Sequence, residues 1–265
     1  MSRDMGEPHR PRKRFGQHFL HDPGTIARIV ALIAPEPGDK LIEIGPGLGA
    51  LTRPLLKAHG RVEAIELDRD VIPRLKEYCA GVGELIVHQQ DALATDFRAF
   101  ADAGRLRLVG NLPYNISTPL LFHLLAQADA IHDMHFMLQR EVVDRICAAP
   151  GTRAYGRLTV MLARGLRAER LLTIGPGAFR PPPKVDSAIV RLTPYREPPF
   201  AWGDPAVFAA IVAQAFSRRR KTLRNALKGL VDVEVMTAAG VDPGARPEAL
   251  APADFGRLSE LSGGQ

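Results

Sequence analysis

The tetrapeptide Asn111-Leu112-Pro113-Tyr114 follows the apolar run Leu106-Arg107-Leu108-Val109. It sets an amide, a proline-stiffened backbone and an aromatic face together where a strand ends. Such a set suits a planar amino group gripped by its edge and its face, most economically an adenine. Upstream, Leu41-Ile42-Glu43-Ile44 runs directly into Gly45-Pro46-Gly47-Leu48-Gly49. Glycines there admit a ligand to the backbone, and the helix start that follows offers unpaired N–H groups. Gly45, Gly47 and Ala50 also satisfy the dinucleotide pattern GxGxxG/A, and a plain strand-to-helix turn would use the same residues. Glu66 closes the run Val62-Glu63-Ala64-Ile65-Glu66, where a carboxylate can accept from both ribose hydroxyls. Asp91 lies just beyond the next strand, where it suits an adenine amino group or, equally, a turn or helix cap. A hydride-transfer enzyme needs no amide, proline and tyrosine at 111–114, and the chain shows no His/Asp or Tyr/Lys constellation for that chemistry.

These groups require a scaffold that delivers them to one edge. Short apolar runs near 40–44, 61–66, 84–88, 106–110 and 133–138 alternate with amphipathic stretches, which predicts βαβ units and a parallel sheet covered on both faces. Before them, Ile26, Ile29, Val30 and Ile33 recur at helical spacing from Pro23, and Pro35-Glu36-Pro37-Gly38-Asp39 ends that helix. Beyond Pro150-Gly151 the rhythm changes. Residues 156–167 read as a helix, and 168–174 and 187–192 read as two strands flanking Phe179-Arg180-Pro181-Pro182-Pro183-Lys184, extending the sheet as an antiparallel hairpin. Residues 195–203 resemble a linker, and 204–262 read as short helices with no strand signal. The expected architecture is α/β, a mostly parallel sheet with one antiparallel hairpin, plus a small all-helical C-terminal domain.

With 265 residues, 46% apolar and 24% charged, the composition is that of a globular protein with one large domain or a domain and an appendage. The net charge of +6 is concentrated in Arg10-Pro11-Arg12-Lys13-Arg14 and in 217–228, where Arg218, Arg219, Arg220, Lys221, Arg224 and Lys228 occur without an acid. Cys79 and Cys147 form no CxxC pair, so no disulfide or zinc framework is expected. His132 and His135 near Asp133 are the densest histidine group; they read as the polar start of a strand rather than a metal site. No apolar run approaches the ~20 residues of a membrane span, and a cytoplasmic, metal-free protein is expected, a monomer for want of an apolar repeat or seam.

Six segments together resemble, in the family's order, the ribosomal RNA adenine N6-dimethyltransferases, and most closely the bacterial small-subunit group. They are Lys13-Arg14-Phe15-Gly16-Gln17-His18-Phe19-Leu20, Glu43-Ile44-Gly45-Pro46-Gly47-Leu48-Gly49, Glu66-Leu67-Asp68, Gln90-Asp91-Ala92, Asn111-Leu112-Pro113-Tyr114-Asn115-Ile116-Ser117 and Phe179-Arg180-Pro181-Pro182-Pro183-Lys184-Val185-Asp186-Ser187. The resemblance spans Lys13 to about Leu261. It implies a Rossmann-like class I methyltransferase sheet using S-adenosyl-L-methionine, and dimethylation of two adjacent adenosines near the 3′ end of 16S rRNA in the small (30S) ribosomal subunit or its precursor. Gln17, His18, Leu20, Gly45, Gly47, Glu66, Asp91 and Asn111 would then hold the cofactor. Asn111 and Leu112 would grip the target N6, and Tyr114 and Phe179 would sandwich the base. His18 stands where many family members carry asparagine, and a neutral imidazole can serve there as a polar partner near the cofactor's methionine end. A charge run is ordinarily a solvated helix face. In this setting Arg218, Arg219, Arg220, Lys221 and Arg224 point to RNA. The implied division is an N-terminal arm and cofactor-covering segment (1–22), a methyltransferase domain (23–195) and an RNA-contacting helical domain (204–265). Two rivals remain: the related large-subunit adenine methyltransferases of antibiotic resistance, and a noncatalytic ribosome-assembly factor.

Overall fold

The computed structural model describes residues 19–101, 104–113 and 115–263. Gln17, His18 and Tyr114 lie outside the described residues, as does the arm before them. The described chain opens with the two-residue strand β1 (Phe19–Leu20) and helix α1 (Pro23–Ile33). Asp22 caps that helix by accepting from the Thr25 N–H at 2.7 Å, and Pro23 occupies a first-turn position that needs no N–H partner. Ala34 adopts a left-handed conformation at φ 45° and the helix stops ahead of Pro35.

The sheet is then laid down by β2 (Lys40–Ile44), α2 (Thr52–His59), β3 (Arg61–Glu66), α3 (Ile72–Cys79), β4 (Glu84–Gln89), β5 (Leu106–Asn111), α4 (Ser117–Leu125) and β6 (Ile131–Gln139). Helices α5 (Arg140–Ile146) and α6 (Arg157–Ala163) lead to β7 (Leu166–Ile174), the short β8 (Phe179–Arg180) and β9 (Ser187–Pro194). Among the described residues the main sheet has seven strands in the order β4-β3-β2-β5-β6-β9-β7. Pairings from β4 to β6 are parallel, and β9 runs antiparallel to both β6 and β7. This is the mostly parallel sheet with an antiparallel hairpin that the sequence predicts.

From β2 the chain first builds outward to β3 and β4, then returns to place β5 and β6 on the other side. The crevice between the carboxyl ends of β2 and β5 is therefore a topological switch point, where open α/β sheets bind ligands. Neighbouring residues of each strand feed opposite cores. Ile42, Leu108, Met134 and Phe136 pack with Leu120 and Leu124 of α4. Leu41, Val62, Val109 and Met137 pack with Ile29 of α1, Leu55 of α2 and Leu75 of α3. Burial on both faces explains why these strands read as continuous apolar runs.

Helices α7 (Pro205–Ser217), α8 (Leu223–Ala226), α9 (Val233–Ala238) and α10 (Pro252–Ser262) enclose a third cluster around Phe208, Ile211, Met236 and Phe255. Tyr155, Val160 and Met161, at and within α6, belong to it, and the Tyr155 hydroxyl donates to the Leu250 carbonyl at 2.7 Å. No helix among the described residues is long and apolar enough to cross a membrane.

Two elements differ from the sequence reading. The helix expected over 156–167 ends at Ala163, and Leu166 already pairs with Pro194. Gly165 breaks the helical run there, and its N–H closes the turn on the Leu162 carbonyl at 3.1 Å. The proline-rich loop also begins as a strand: Phe179 and Arg180 pair antiparallel with Leu20 and Phe19. Two-residue strands carry too few alternating positions to leave a sequence signal.

Candidate active site

A cavity of about 800 Å³ opens at the switch point. On one side stands the loop leaving β2. Gly45 and Gly47 hold φ of 69° and 55°, and the Gly45 N–H donates to Ile65 at 2.9 Å. Positive φ strains any L-residue with a side chain, so the glycines are required by the path of this loop. A Cβ built on Gly45 would lie 4.0 Å from the Asn111 carbonyl and from Pro113 Cδ. The two motifs are thus in van der Waals reach of each other, one at the end of β2 and the other at the end of β5.

Glu66, at the end of β3, reaches across to that loop. Its carboxylate accepts from the Gly47 N–H at 3.2 Å and from the Asp68 N–H at 2.8 Å, and burial raises its pKa above the usual carboxylate range. Glu66 thus braces the loop as well as facing the cavity. Glu66→Ala should remove both braces and a ligand acceptor, weakening S-adenosylmethionine binding by about tenfold or more, since hydrogen bonds to a charged group contribute about 1.5–3 kcal/mol each. Calorimetry giving wild-type affinity would contradict that role.

Asp91 lines the cavity from the loop after β4, the strand next to β3. Its Oδ1 accepts from the Leu93 N–H at 2.9 Å, so it does serve as a turn residue while also lining the cavity. Asn111 ends β5, half-buried, and lines the cavity with Leu112 and Pro113. The turn after it is fixed from both sides. The Leu112 N–H donates to the Met137 carbonyl at 3.2 Å, and the Pro113 carbonyl accepts from the Ile116 N–H at 3.2 Å and the Ser117 hydroxyl at 3.0 Å.

Leu20 also lines the cavity. Phe179, its partner in the β1–β8 pair, is 2% exposed, packs in the cluster with Leu20 and Ile29, and does not line the cavity. The cations of 217–228 belong to the helical unit of α7 to α10. Arg218, Arg220, Lys221 and Arg224 are exposed, whereas Arg219 is half-buried and tied to the Thr152 carbonyl at 3.3 Å and to Glu248 at 3.8 Å.

Two cavity groups receive no site role in the sequence reading. Glu43 on β2 is 2% exposed, and its Oε2 has no hydrogen-bond partner among the described residues. The signal was an acid inside an otherwise apolar parallel strand. His135 on β6 is buried as well, with neither ring nitrogen bonded among the described residues, and burial drives its pKa down to about 4. The reading of 132–135 as a polar strand start holds for the exposed His132. Asp133 is buried because Arg107 grips both its oxygens, at 3.0 and 2.8 Å, while also holding Asp39 at 2.6 Å. No group of three or more His, Cys, Asp or Glu among the described residues is arranged to hold a metal ion.

A loop whose glycines admit a ligand, a buried carboxylate at the next strand end, a second carboxylate after β4 and an unpartnered Glu43 oxygen fit a nucleoside that carries positive charge. S-adenosylmethionine has that chemistry. Comparisons with known proteins agree. Residues 8–262 match the family model described as ribosomal RNA adenine dimethylase. Similar proteins include ribosomal RNA small subunit methyltransferase A of Methylococcus capsulatus, 59% identical with 95% of this chain and 97% of that protein covered. The protein of the same name from Pseudomonas aeruginosa is 56% identical, with 95% and 94% covered. Among solved structures, a dimethyladenosine transferase from Plasmodium falciparum aligns with a TM-score of 0.77 at 27% identity, covering 91% of this chain and 96% of that one. The 23S rRNA methyltransferase ErmE aligns with a TM-score of 0.71 at 28% identity, covering 92% and 98%.

Proposed function

We propose, from the premise that this chain belongs to the ribosomal RNA adenine dimethylase family, that it converts two adjacent adenosines near the 3′ end of 16S rRNA to N6,N6-dimethyladenosine, using S-adenosylmethionine, within the small ribosomal subunit or its precursor. The observation that carries the reading is the meeting of the Gly45–Gly49 loop with the Asn111 turn in one cavity at the β2/β5 crevice. Identities above 50% to small-subunit enzymes favour that substrate over the large-subunit RNA named for ErmE. We assign cofactor covering to 1–22, methyl transfer to 23–195 and RNA contact to 204–265, in a cytoplasmic monomer that needs no metal.

The cofactor supplies, when bound, a sulfonium methyl that is already electrophilic. The protein's task is then alignment and electrostatics. Gly45, Gly47, Glu66 and Asp91 fix the donor, with Gln17, His18 and Leu20 covering its methionine end. The adenine N6 lone pair is delocalised into the ring and is a poor nucleophile. Asn111 and the Leu112 carbonyl accept the N6 hydrogens, favour a more pyramidal nitrogen and bear the positive charge that grows on it. The proton then leaves to water. Tyr114 and Phe179 hold the unstacked base by its faces, worth ~1–3 kcal/mol per stacked base. Because Phe179 is buried against Leu20, this role requires the β1–β8 pair to yield when RNA enters.

The direct test is methyl transfer from labelled S-adenosylmethionine to unmethylated small subunits, with large-subunit RNA in parallel and mass spectrometry of the nucleosides. Dimethyladenosine in the small subunit alone is expected. Product only in large-subunit RNA would move the substrate to the resistance-type enzymes, and binding without product would leave an assembly factor.

The exposed cations give a second test. Arg220, Lys221 and Arg224 changed together to alanine should weaken RNA binding and flatten the log affinity against log salt slope by about 2, as expected for three phosphate contacts on single-stranded RNA. Arg219 is left in place because its ties to Thr152 and Glu248 give it a structural duty. An unchanged slope would return the run to a solvated helix face.

A further inference from the structure

Glu43 occupies a position that neither the adenine grip nor the ribose carboxylate uses. It is the fourth residue of β2, two residues before Gly45, and it lines the cavity while being 2% exposed. Its Oε2 is buried with no hydrogen-bond partner among the described residues. A buried carboxylate with one oxygen lacking a donor is costly in its charged form, so it gains when a cation arrives beside it. The strand register keeps it facing the same side as the Asn111 side chain: Glu43 pairs with Val109, two residues before Asn111 on β5.

We propose that Glu43 is the group by which the site distinguishes the cationic methyl donor from its neutral thioether product. This rests on the S-adenosylmethionine reading. The donor and the product share adenine, ribose and amino-acid ends, and differ by one methyl group and one positive charge. Contacts from Gly47, Glu66 and Asp91 therefore serve both equally, and discrimination needs a group that responds to charge. A carboxyl that ionises when the donor enters and takes back a proton when the product remains does so, and it eases exchange of product for donor after each transfer.

Burial pushes the Glu43 carboxyl up to about 7, the Thr52 hydroxyl of α2 favouring ionisation and the Glu66 carboxylate of β3 opposing it. Around it, Cys79 of α3 is pushed up to about 11 by burial and by Glu43 itself, against the pull of Arg53 on α2. His135 of β6, down at about 4, lines the same cavity, as do the Asp68, Asp70 and Asp91 carboxylates. Glu66 is itself raised by burial and is a rival source of a proton among the described residues, which the variant below separates. The sign follows. Below about 7 the donor must displace a proton from Glu43, so its affinity rises with pH and levels once the carboxylate is ionised beforehand. The thioether product has no such demand.

The test is calorimetric titration of the full chain with S-adenosylmethionine and separately with S-adenosylhomocysteine, at pH 6 to 8 and in buffers of different ionisation heat. The expected result is proton release with the donor and not with the product, and a donor-to-product affinity ratio that rises about fivefold or more across that range. In Glu43→Gln, which keeps the size of the side chain, the ratio should be flat. Equal proton release with both ligands in the unaltered protein overturns the proposal without any variant, as does a rising ratio that persists in Glu43→Gln. Absence of donor binding at every pH would remove the cofactor reading and the proposal with it, an outcome distinct from binding without linkage.

Discussion

Asn111→Ala is expected to lower the rate of methyl transfer by roughly a hundred- to a thousandfold, the scale seen when one preorganised group that stabilises transition-state charge is removed. The argument begins with position. Asn111 is the last residue of a strand whose register on β6 places it opposite Met137, and the turn after it is tied to Met137, Ile116 and Ser117. In the proposed mechanism, a polar side chain held there meets the nucleophile with its ordering already complete before the transition state. Alanine keeps the strand, the proline and the Leu112 backbone, so the fold and the Gly45–Gly49 loop should stand. Single-turnover transfer from labelled donor should show the loss, while calorimetry should find donor affinity within a few-fold of the original. Unchanged turnover would remove Asn111 from catalysis, and a collapse of affinity equal to that of the rate would make it a cofactor residue only.

The site could be read from the sequence where local chemistry is stereotyped. Gly45 and Gly47 announce a positive-φ loop because no other residue takes that conformation freely, and Asn111 with Pro113 two residues on marks a polar side chain and a stiffened turn at a strand end. The alternation of strands and helices is legible because a parallel strand buried on both faces is mostly apolar along its length. Three features were hidden for physical reasons. The β1–β8 pair is too short to alternate, and it decides that Phe179 is buried against Leu20 rather than open to the cavity. Gly165 lies in a run whose apolar spacing continues through it, so the helix seemed to extend to 167 when pairing of Leu166 with Pro194 claims those residues for the sheet. Arg219 shows the same limit in a charge run. Composition cannot separate an exposed cation from one already bound to Thr152 and Glu248, because that distinction is made by a segment far along the chain.

Gly110 marks the point where the two halves of the site depend on one contact, and Gly110→Ala should be the most damaging single-methyl change near it. A Cβ at Gly110 would stand 2.4 Å from the Ile44 carbonyl oxygen and 3.3 Å from Leu112 Cδ2. The first of these is backbone, at the carboxyl end of the parallel β2–β5 pair, so it cannot rotate away as a side-chain tip could. Relief requires β5 to move off β2, and those two strands carry Asn111 and Gly45 respectively. Overpacking of this kind costs about 1–3 kcal/mol and occasionally more, and the rigid neighbour puts this case at the upper end. Thermal unfolding should shift down by several degrees, and donor affinity should fall because the crevice itself is displaced. Gly104→Ala is the matched control, since a Cβ there meets nothing within 4 Å. If Gly110→Ala melted with Gly104→Ala and bound the donor normally, the close approach of β5 to β2 would not be what holds the Asn111 turn against the glycine loop, and the coupling of the two motifs would have to come from the ligand they share.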